Sequence, residues 1–396
     1  MINILETLHS SFYFANKKKH LICYDPQIAY IYYKDHRVNL LTGVEETYSI
    51  TEFIKELKSK RIQKKRKFPQ VTHFFYEFGH FFNTKVEVDK KTPLVATMIY
   101  GKHRFYDYQM GLKKKIIKRE TLKKISFESY KENFEFVQEN LEAGNCYQVN
   151  LTTKDSVDLN DSTSHQDIIE KFYNSRKKLS AYAHHSYIPY LNKLILSNSP
   201  ECLFQVYEKE KYFSIHALPI KGTISKKVEN AREVLLKSLK NQGELYMIID
   251  LLRNDLAKIH LPASKVLFKK KILEVPGLYH LYSRIKVNVT KEITLYDLIN
   301  ALFPGGSITG APKKKVMEII NELEVGNRGI YCGSTYLDFK NIKTASINIR
   351  TAEIDFKKNK CYYGSGGGVT LKSKVKEEFE EIEMKRESFY TLLNKE

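Results

Sequence analysis

The chain has 396 residues, enough to bury one large core or two interleaved ones, and its 42% hydrophobic and 28% charged content is ordinary for a globular protein. No apolar run approaches the ~18 residues of a membrane span, and the opening Met1-Ile2-Asn3-Ile4-Leu5-Glu6 lacks the basic stretch and apolar core of a signal peptide. The formal charge of +19 comes from lysine-rich runs at 17–19, 58–67, 113–118 and 269–271, scattered along the chain with no nucleic-acid-binding motif beside them; solvated charge is expected, not DNA or RNA binding.

The N-terminal segments around Leu21-Ile22-Cys23-Tyr24, 28–33 and 71–76 are rich in β-branched and aromatic residues and read as strands. Residues 51–66 start with a candidate capping residue, Thr51, and read as a very basic helix. Strand texture returns over 85–106, and 113–124 reads as a polar linker. Apolar residues at helical spacing (Tyr130, Phe134, Phe136, Val137, Leu141) predict a helix over 127–143, with Gly144 suited to its C-terminal cap. Strands are expected at 146–152, then near 194–196, 203–207 and 212–220. Residues 230–256 carry a long helical pattern, followed by shorter ones at 294–302 and 313–323, the second introduced by Gly310-Ala311-Pro312. Strands at 330–337, 344–354 and 360–363 precede a final helix over 373–393. Strands and helices come in runs without strict alternation, which predicts an α+β fold with antiparallel sheets. No linker divides the chain sharply, so residues 1–125 and 126–396 are expected to form one intertwined unit.

The five cysteines (Cys23, Cys146, Cys202, Cys332, Cys361) are scattered, odd in number and free of Cys-x-x-Cys spacing. That suits a reduced, cytoplasmic protein without a zinc site. Chemistry-bearing residues crowd the second half. Lys221 sits between a rigid Pro219-Ile220 and Gly222, Glu201 follows Pro200, and a turn at 305–310 is rich in glycine. Glu378, Glu381 and Lys385 fall at i, i+3 and i+7, one face of the last helix. Just before them Gly364-Ser365-Gly366-Gly367-Gly368 is read as a loop that offers unhindered N–H groups to an anion. Glu244 lies on a separate helix, and carboxylates from two helices near bound anions suit Mg²⁺, which takes few protein oxygens. The same residues also suit an ion-paired helix face.

The motifs Cys146-Tyr147-Gln148-Val149-Asn150-Leu151, Ser199-Pro200-Glu201, Pro219-Ile220-Lys221-Gly222-Thr223, Asp250-Leu251-Leu252-Arg253-Asn254-Asp255, Phe303-Pro304-Gly305-Gly306-Ser307-Ile308-Thr309-Gly310-Ala311-Pro312, Ile349-Arg350-Thr351 and Gly366-Gly367-Gly368 occur in that order over residues 125–393. In this the chain resembles the chorismate-utilising enzyme family. The resemblance implies a large antiparallel β-sheet sandwich with helices packed outside, the active site between its halves. It also implies chorismate as the small-molecule substrate and Mg²⁺ as cofactor, held by Glu244 and Glu381 with Glu378 nearby. Members that aminate chorismate at C4 carry lysine in the Pro-Ile-Lys-Gly-Thr loop, where anthranilate-forming and isochorismate-forming members have alanine. Water-adding members carry a lysine base at the position of Gln148. Lys221 with Gln148 is the C4-aminating pattern.

On that resemblance Lys221 would add at C2 of the ring, a first displacement that lets ammonia enter C4 with net retention, and it would have to be neutral to do so. Glu201 would protonate the departing hydroxyl and therefore needs a raised pKa. His280 matches the family histidine, which could equally be a packed core residue. Arg350 and Tyr331 match the positions that bind the enolpyruvyl carboxylate. Gln148, Gly222, Thr223, Ser307, Gly366, Gly368 and Lys385 match ring- and carboxylate-binding positions. None of the cysteines sits on the glycine-flanked elbow of a glutaminase, so the resemblance implies a separate glutamine amidotransferase subunit as the source of ammonia. The chain departs from the family at Ile224-Ser225-Lys226-Lys227, where an Arg-Pro-Arg-like run is usual, and at Lys372-Ser373 in place of Asp-Ser. The N-terminal half matches faintly, and the absence of any Trp and of the feedback signature argues against control by tryptophan. Lys221 disfavours the anthranilate-forming alternative and Gln148 the water-adding one. A different class, a catalytically silent basic nucleic-acid-binding protein on this fold, would lack the complete set of acids, lysine and glycines.

Overall fold

The computed structural model describes residues 4–14, 17, 19–63, 65–106, 119–174, 179–259, 264–275 and 278–394. Every strand pairing among them is antiparallel, in one continuous ladder. The N-terminal strands are woven into the rest. His9–Phe14 lies between Lys19–Tyr32 and Tyr182–Ile188, and Arg66–Phe74 lies between Val95–Tyr106 and Ser334–Lys340. The sheet folds over on itself: His73 on Arg66–Phe74 meets the Ser186 hydroxyl (2.9 Å) on Tyr182–Ile188, a strand to which its own is not paired. The α+β class with antiparallel sheets is therefore what the chain adopts.

Helices cover this sheet with apolar faces largely as read from the sequence, although Phe136, expected on the buried face, is exposed. Phe127–Glu142 buries Tyr130, Phe134, Val137 and Leu141, is capped by Ser126, and passes into Gly144. Leu295–Leu302 starts on a capping box between Thr294 and Asp297. The largest core cluster joins Phe74 and Phe78 from the N-terminal region to Leu203, Leu252, Leu298 and Val316, so that region shares one core with the rest. None of the described helices is long and apolar enough to cross a membrane, and all five cysteines are buried, with no disulfide between them.

Several boundaries differ from the sequence reading. The basic helix spans only Ile50–Ser59, behind a Ser49–Glu52 capping box, and Arg66 already starts a strand; like charges stacked at i, i+4 would oppose any extension. The helical pattern at 230–256 is broken into Ala231–Lys237 and Leu239–Ala257 by Ser238, which is extended and accepts the Asn241 N–H. Residues 344–354 form two strands, Ile342–Ile347 and Thr351–Asp355, interrupted where Arg350 takes φ +52°. Of the 113–124 linker, residues up to 118 lie outside the described ones, and Arg119–Lys123 is a strand.

The glycine run is the largest correction. Residues 364–368 are not a loop but the centre of the Lys360–Val369 strand, with Gly366 opposite Thr152 and Gly368 opposite Asn150. Glycine is required there by what leans on the strand. A Cβ on Gly364 would collide with the Tyr331 ring, and one on Gly366 would lie 2.6 Å from the Leu151 carbonyl.

Candidate active site

Ile220–Ser225 pairs with Leu278–Val289 through a register skip: Lys221 faces Leu281, yet Thr223 already faces His280. Gly222 fills the bulge at φ +73°, pressed so closely that a Cβ would lie 2.8 Å from Asn241 Cγ. Only glycine takes that backbone conformation in so little space, and such a bulge re-aims the neighbouring side chain. Lys221 Nζ comes within 3.9 Å of Glu244 Oε2 on the Leu239–Ala257 helix. On its other side it reaches the glycine strand, 3.4 Å from the place where a Cβ of Gly368 would stand. The Gln148 amide leans on the same glycine (2.8 Å to that place) and is itself buried, with neither its nitrogen nor its oxygen partnered. A buried amide without partners is ready to bond a ligand.

Glu201 completes this wall. Its backbone is fixed by an N–H donated to Ser199 Oγ (3.2 Å) and a carbonyl that accepts the Ile347 N–H (3.0 Å). Its side chain is buried, and burial pushes its pKa up to about 7 against the opposing pull of the Ser307 hydroxyl, the Lys221 charge and the Ile220 N–H. An acid poised near neutrality and a lysine thus act on each other across one small space.

The Val375–Asn394 helix supplies the second wall. Ser373 Oγ donates to Glu378 Oε1 (2.8 Å) and accepts the Thr370 N–H (3.2 Å), so the serine at the departure from the family pattern still holds the turn. Glu378 Oε2 lies over Gly367, 2.8 Å from where its Cβ would stand. Lys385 pairs with Glu381 (2.8 Å) and donates to the Gly366 carbonyl (2.7 Å). Burial and the neighbouring Glu381 charge hold the Glu378 pKa above the ordinary range, against Ser373, Lys240 and Lys385. For Glu381, burial is outweighed by Lys385, Lys221 and Lys240, and its pKa is lowered. Among the described residues no three acids, histidines or cysteines converge as a ready-made metal cage. Glu381 and Glu244 each attract a lysine ammonium, and Glu378 lies close enough to Glu381 to feel its charge; one or two such carboxylates are what a Mg²⁺ ion would need from the protein, its other oxygens coming from substrate and water.

A third wall is formed by His280, Thr223, Arg350 and Tyr331. His280 Nδ1 and Thr223 Oγ1 share a hydrogen bond (2.8 Å). Burial, helped by the Arg350 charge, pushes the imidazole pKa down to about 4, so it is neutral at physiological pH. Arg350 sits at its positive φ with its carbonyl accepting the Asn198 N–H (3.0 Å), and Tyr331 is buried against Gly364.

Sequence reasoning missed the supports. The Asp255 carboxylate, 1% exposed, takes Lys313 (2.8 Å) and Lys258 (2.8 Å), and Lys313 also reaches the Leu302 carbonyl (3.3 Å). This ties the helix that carries Glu244 to both ends of the loop that carries Ser307. Arg328 pairs with Glu324 and donates to the carbonyls of Ile308 and Asn150 (2.8 Å each), while Glu324 accepts from the Thr152 N–H and hydroxyl.

Residues 112–391 match the model of the family described as chorismate binding enzyme. The chain is 33% identical over 259 residues to the aminodeoxychorismate synthase component 1 of Salmonella typhimurium, covering 64% of this chain and 54% of that protein. It is 34% identical over 261 residues to the protein of that name from Escherichia coli, covering 64% and 55%. The match thus spans about half the length of these relatives. Its fold is that of anthranilate synthase component I from Streptococcus pneumoniae, with a TM-score of 0.77 at 20% identity over 93% of this chain and 91% of that one.

Proposed function

The chain belongs to the family of chorismate binding enzymes, and we propose that it aminates chorismate at C4, the work of an aminodeoxychorismate synthase component I. The observation that carries this reading is Lys221 set against Gly368 and Gln148, with the buried, near-neutral Glu201 close enough to feel its charge. Lys221 is the nucleophile: its amine bonds to C2 of the ring as the C4–O bond breaks. Glu201 gives its proton to the departing hydroxyl, which leaves as water. Ammonia then bonds to C4, the C2–N bond to Lys221 breaks, and Glu201 recovers a proton from the new ammonium. The acid thus ends each cycle as it began.

Arg350, with its planar fork, and Tyr331 hold the enolpyruvyl carboxylate. Thr223, Ser307, Gln148 and the carbonyl-bonded Lys385 orient the ring. Neutral His280 fixes Thr223 and offers no charge of its own. Glu244 and Glu381, with Glu378 beside them, would hold Mg²⁺, which would bind the ring carboxylate and draw electrons from the diene. The designation component 1 of the relatives, and buried cysteines that form no disulfide and lie outside any nucleophile elbow, support a separate glutaminase partner and a reducing, cytoplasmic setting.

The test is incubation of the protein with chorismate, Mg²⁺ and ammonium, with products separated by mass after an aminodeoxychorismate lyase is added. Wild type should yield p-aminobenzoate, and Lys221→Ala should not. Release of anthranilate by the wild type would sink the assignment, as would full turnover by the variant.

A further inference from the structure

A buried ion pair that the proposed reaction does not use stands at the far end of the second wall. Arg386 on the Val375–Asn394 helix is 2% exposed and Asp155 on the Gln148–Leu159 strand 0%, and the Arg386 Nε–H donates to Asp155 Oδ2. We propose that this pair is a positioning device, which sets the register of the helix carrying Glu378, Glu381 and Lys385 against the glycine strand. The proposal rests on the reading of that helix as a wall of the chorismate site.

Stability does not explain the pair. Two charges taken out of water recover the cost of desolvation only when their remaining hydrogen-bonding groups are satisfied as well. Here Arg386 Nη2 and Asp155 Oδ1 have no partner among the described residues, and burial lifts the Asp155 pKa in spite of the guanidinium beside it. Glu383 accepts from Arg386 Nη1 at 3.4 Å and is shared with Lys124 (2.7 Å). The rest of the interface is apolar or aromatic. Ile382, Phe389 and Tyr390 of the helix are buried, and the Phe389 ring stacks on Tyr363 (4.2 Å between centroids), the residue opposite Asp155 in the strand register.

Such a surface holds the helix down without fixing it lengthwise, because hydrophobic contact is non-directional. A guanidinium N–H on a carboxylate is directional. With it the helix meets the strand pair at two fixed points: Glu378 lies over Gly367, and Arg386 reaches Asp155 opposite Tyr363. From Glu378 to Arg386 there are eight residues of helix, about 12 Å. From Gly367 to Tyr363 there are four residues of strand, about 13 Å. The two spans match, and Lys385, next to Arg386, donates to the Gly366 carbonyl (2.7 Å). A slip of one helical turn, about 5.4 Å, would take Lys385 out of reach of Gly366 and Glu378 off Gly367.

The test uses the full chain with Asp155→Leu and Arg386→Met combined, which replaces both charges by apolar side chains. This variant should melt at or above the wild-type Tm. Its Kd for chorismate, measured by calorimetry with Mg²⁺ present, should nevertheless rise about tenfold or more, the order of one charge-assisted hydrogen bond lost. In its ligand-free crystal structure the Lys385 ammonium should have left the Gly366 carbonyl. A merely structural pair would lower Tm and leave Kd unchanged, and that result overturns the proposal; so does a crystal structure with Lys385 still on Gly366. If the double variant does not fold, Arg386→Lys, which keeps the charge and loses the Nε–H, decides by the same two readouts. Wild type that fails to bind chorismate would sink the proposed function instead, and the crystal structure, which needs no ligand, still decides the register.

Discussion

Replacing Glu201 with glutamine should stabilise the protein at alkaline pH, even as it removes the acid on which the proposed reaction depends. In the folded chain the carboxyl releases its proton only near pH 7, against 4.5 for the unperturbed group. Between those values the native state binds more protons than the unfolded one, so stability falls as pH rises. The shift of about 2.5 pH units, at 1.36 kcal/mol each, makes the loss about 3 kcal/mol once pH exceeds 7. Below about pH 4.5 both states are protonated, and the contribution vanishes. The neutral amide of the Glu201→Gln variant has no such dependence, and titrating groups that do not interact with Glu201 cancel in the difference between the two proteins. Urea denaturation of both proteins at acid and alkaline pH should therefore show the gap, variant minus wild type, growing by about 3 kcal/mol. A gap that stays level within ~1 kcal/mol, or shrinks with pH, would refute the argument that Glu201 is a desolvated acid.

Breaking the buried Asp255–Lys313 pair by Asp255→Asn should cost about 3–5 kcal/mol, and adding Lys313→Met should recover part of it; additive losses in chemical denaturation would show that the pair is not a unit. Gly368→Ala places a methyl 2.8 Å from the Gln148 amide and 3.4 Å from Lys221 Nζ; overpacking of about 1–3 kcal/mol is expected in thermal melts, with a larger loss of turnover because both side chains must move. The His280 ring should show no titration by NMR over roughly pH 5.5–8, unlike an exposed histidine, because burial and Arg350 hold its pKa near 4; a midpoint near neutrality would contradict the packing described. Glu381→Gln should raise the Mg²⁺ concentration needed for half-maximal turnover by about tenfold or more, an effect that unchanged metal dependence would exclude.

Local periodicity made much of the fold legible. Tyr130, Phe134, Val137 and Leu141 fix both the helix and its buried face, and Thr294 with Asp297 marks a helix start, because these signals act within a few residues. What could not be read was non-local. Nothing near Arg66 says that its strand will pair with Ser334–Lys340, more than 250 residues away in the register. Nor does Asp255, inside a helical motif, announce that its partner is Lys313. Ser238 shows the competition directly: an apolar pattern continues through it, yet its side chain caps the next helix and the pattern breaks.

The glycine run shows where the two kinds of information part. Glycine is compatible with a flexible anion-binding loop and with a strand that other groups must approach closely, and sequence alone favours the loop because glycine weakens strands. The pairing of Lys360–Val369 with Gln148–Leu159 decides for the strand. Its missing side chains then make room for groups from separate elements: the Tyr331 ring at Gly364, Glu378 at Gly367, Gln148 and Lys221 at Gly368. Lys385 adds its bond to the Gly366 carbonyl. The glycines thus set how closely the lysine, the amide, the acid and the ring can each approach the strand. A substitution that left every polar residue untouched but thickened this strand would separate them, so the geometry of the site resides as much in atoms that are absent as in those that react.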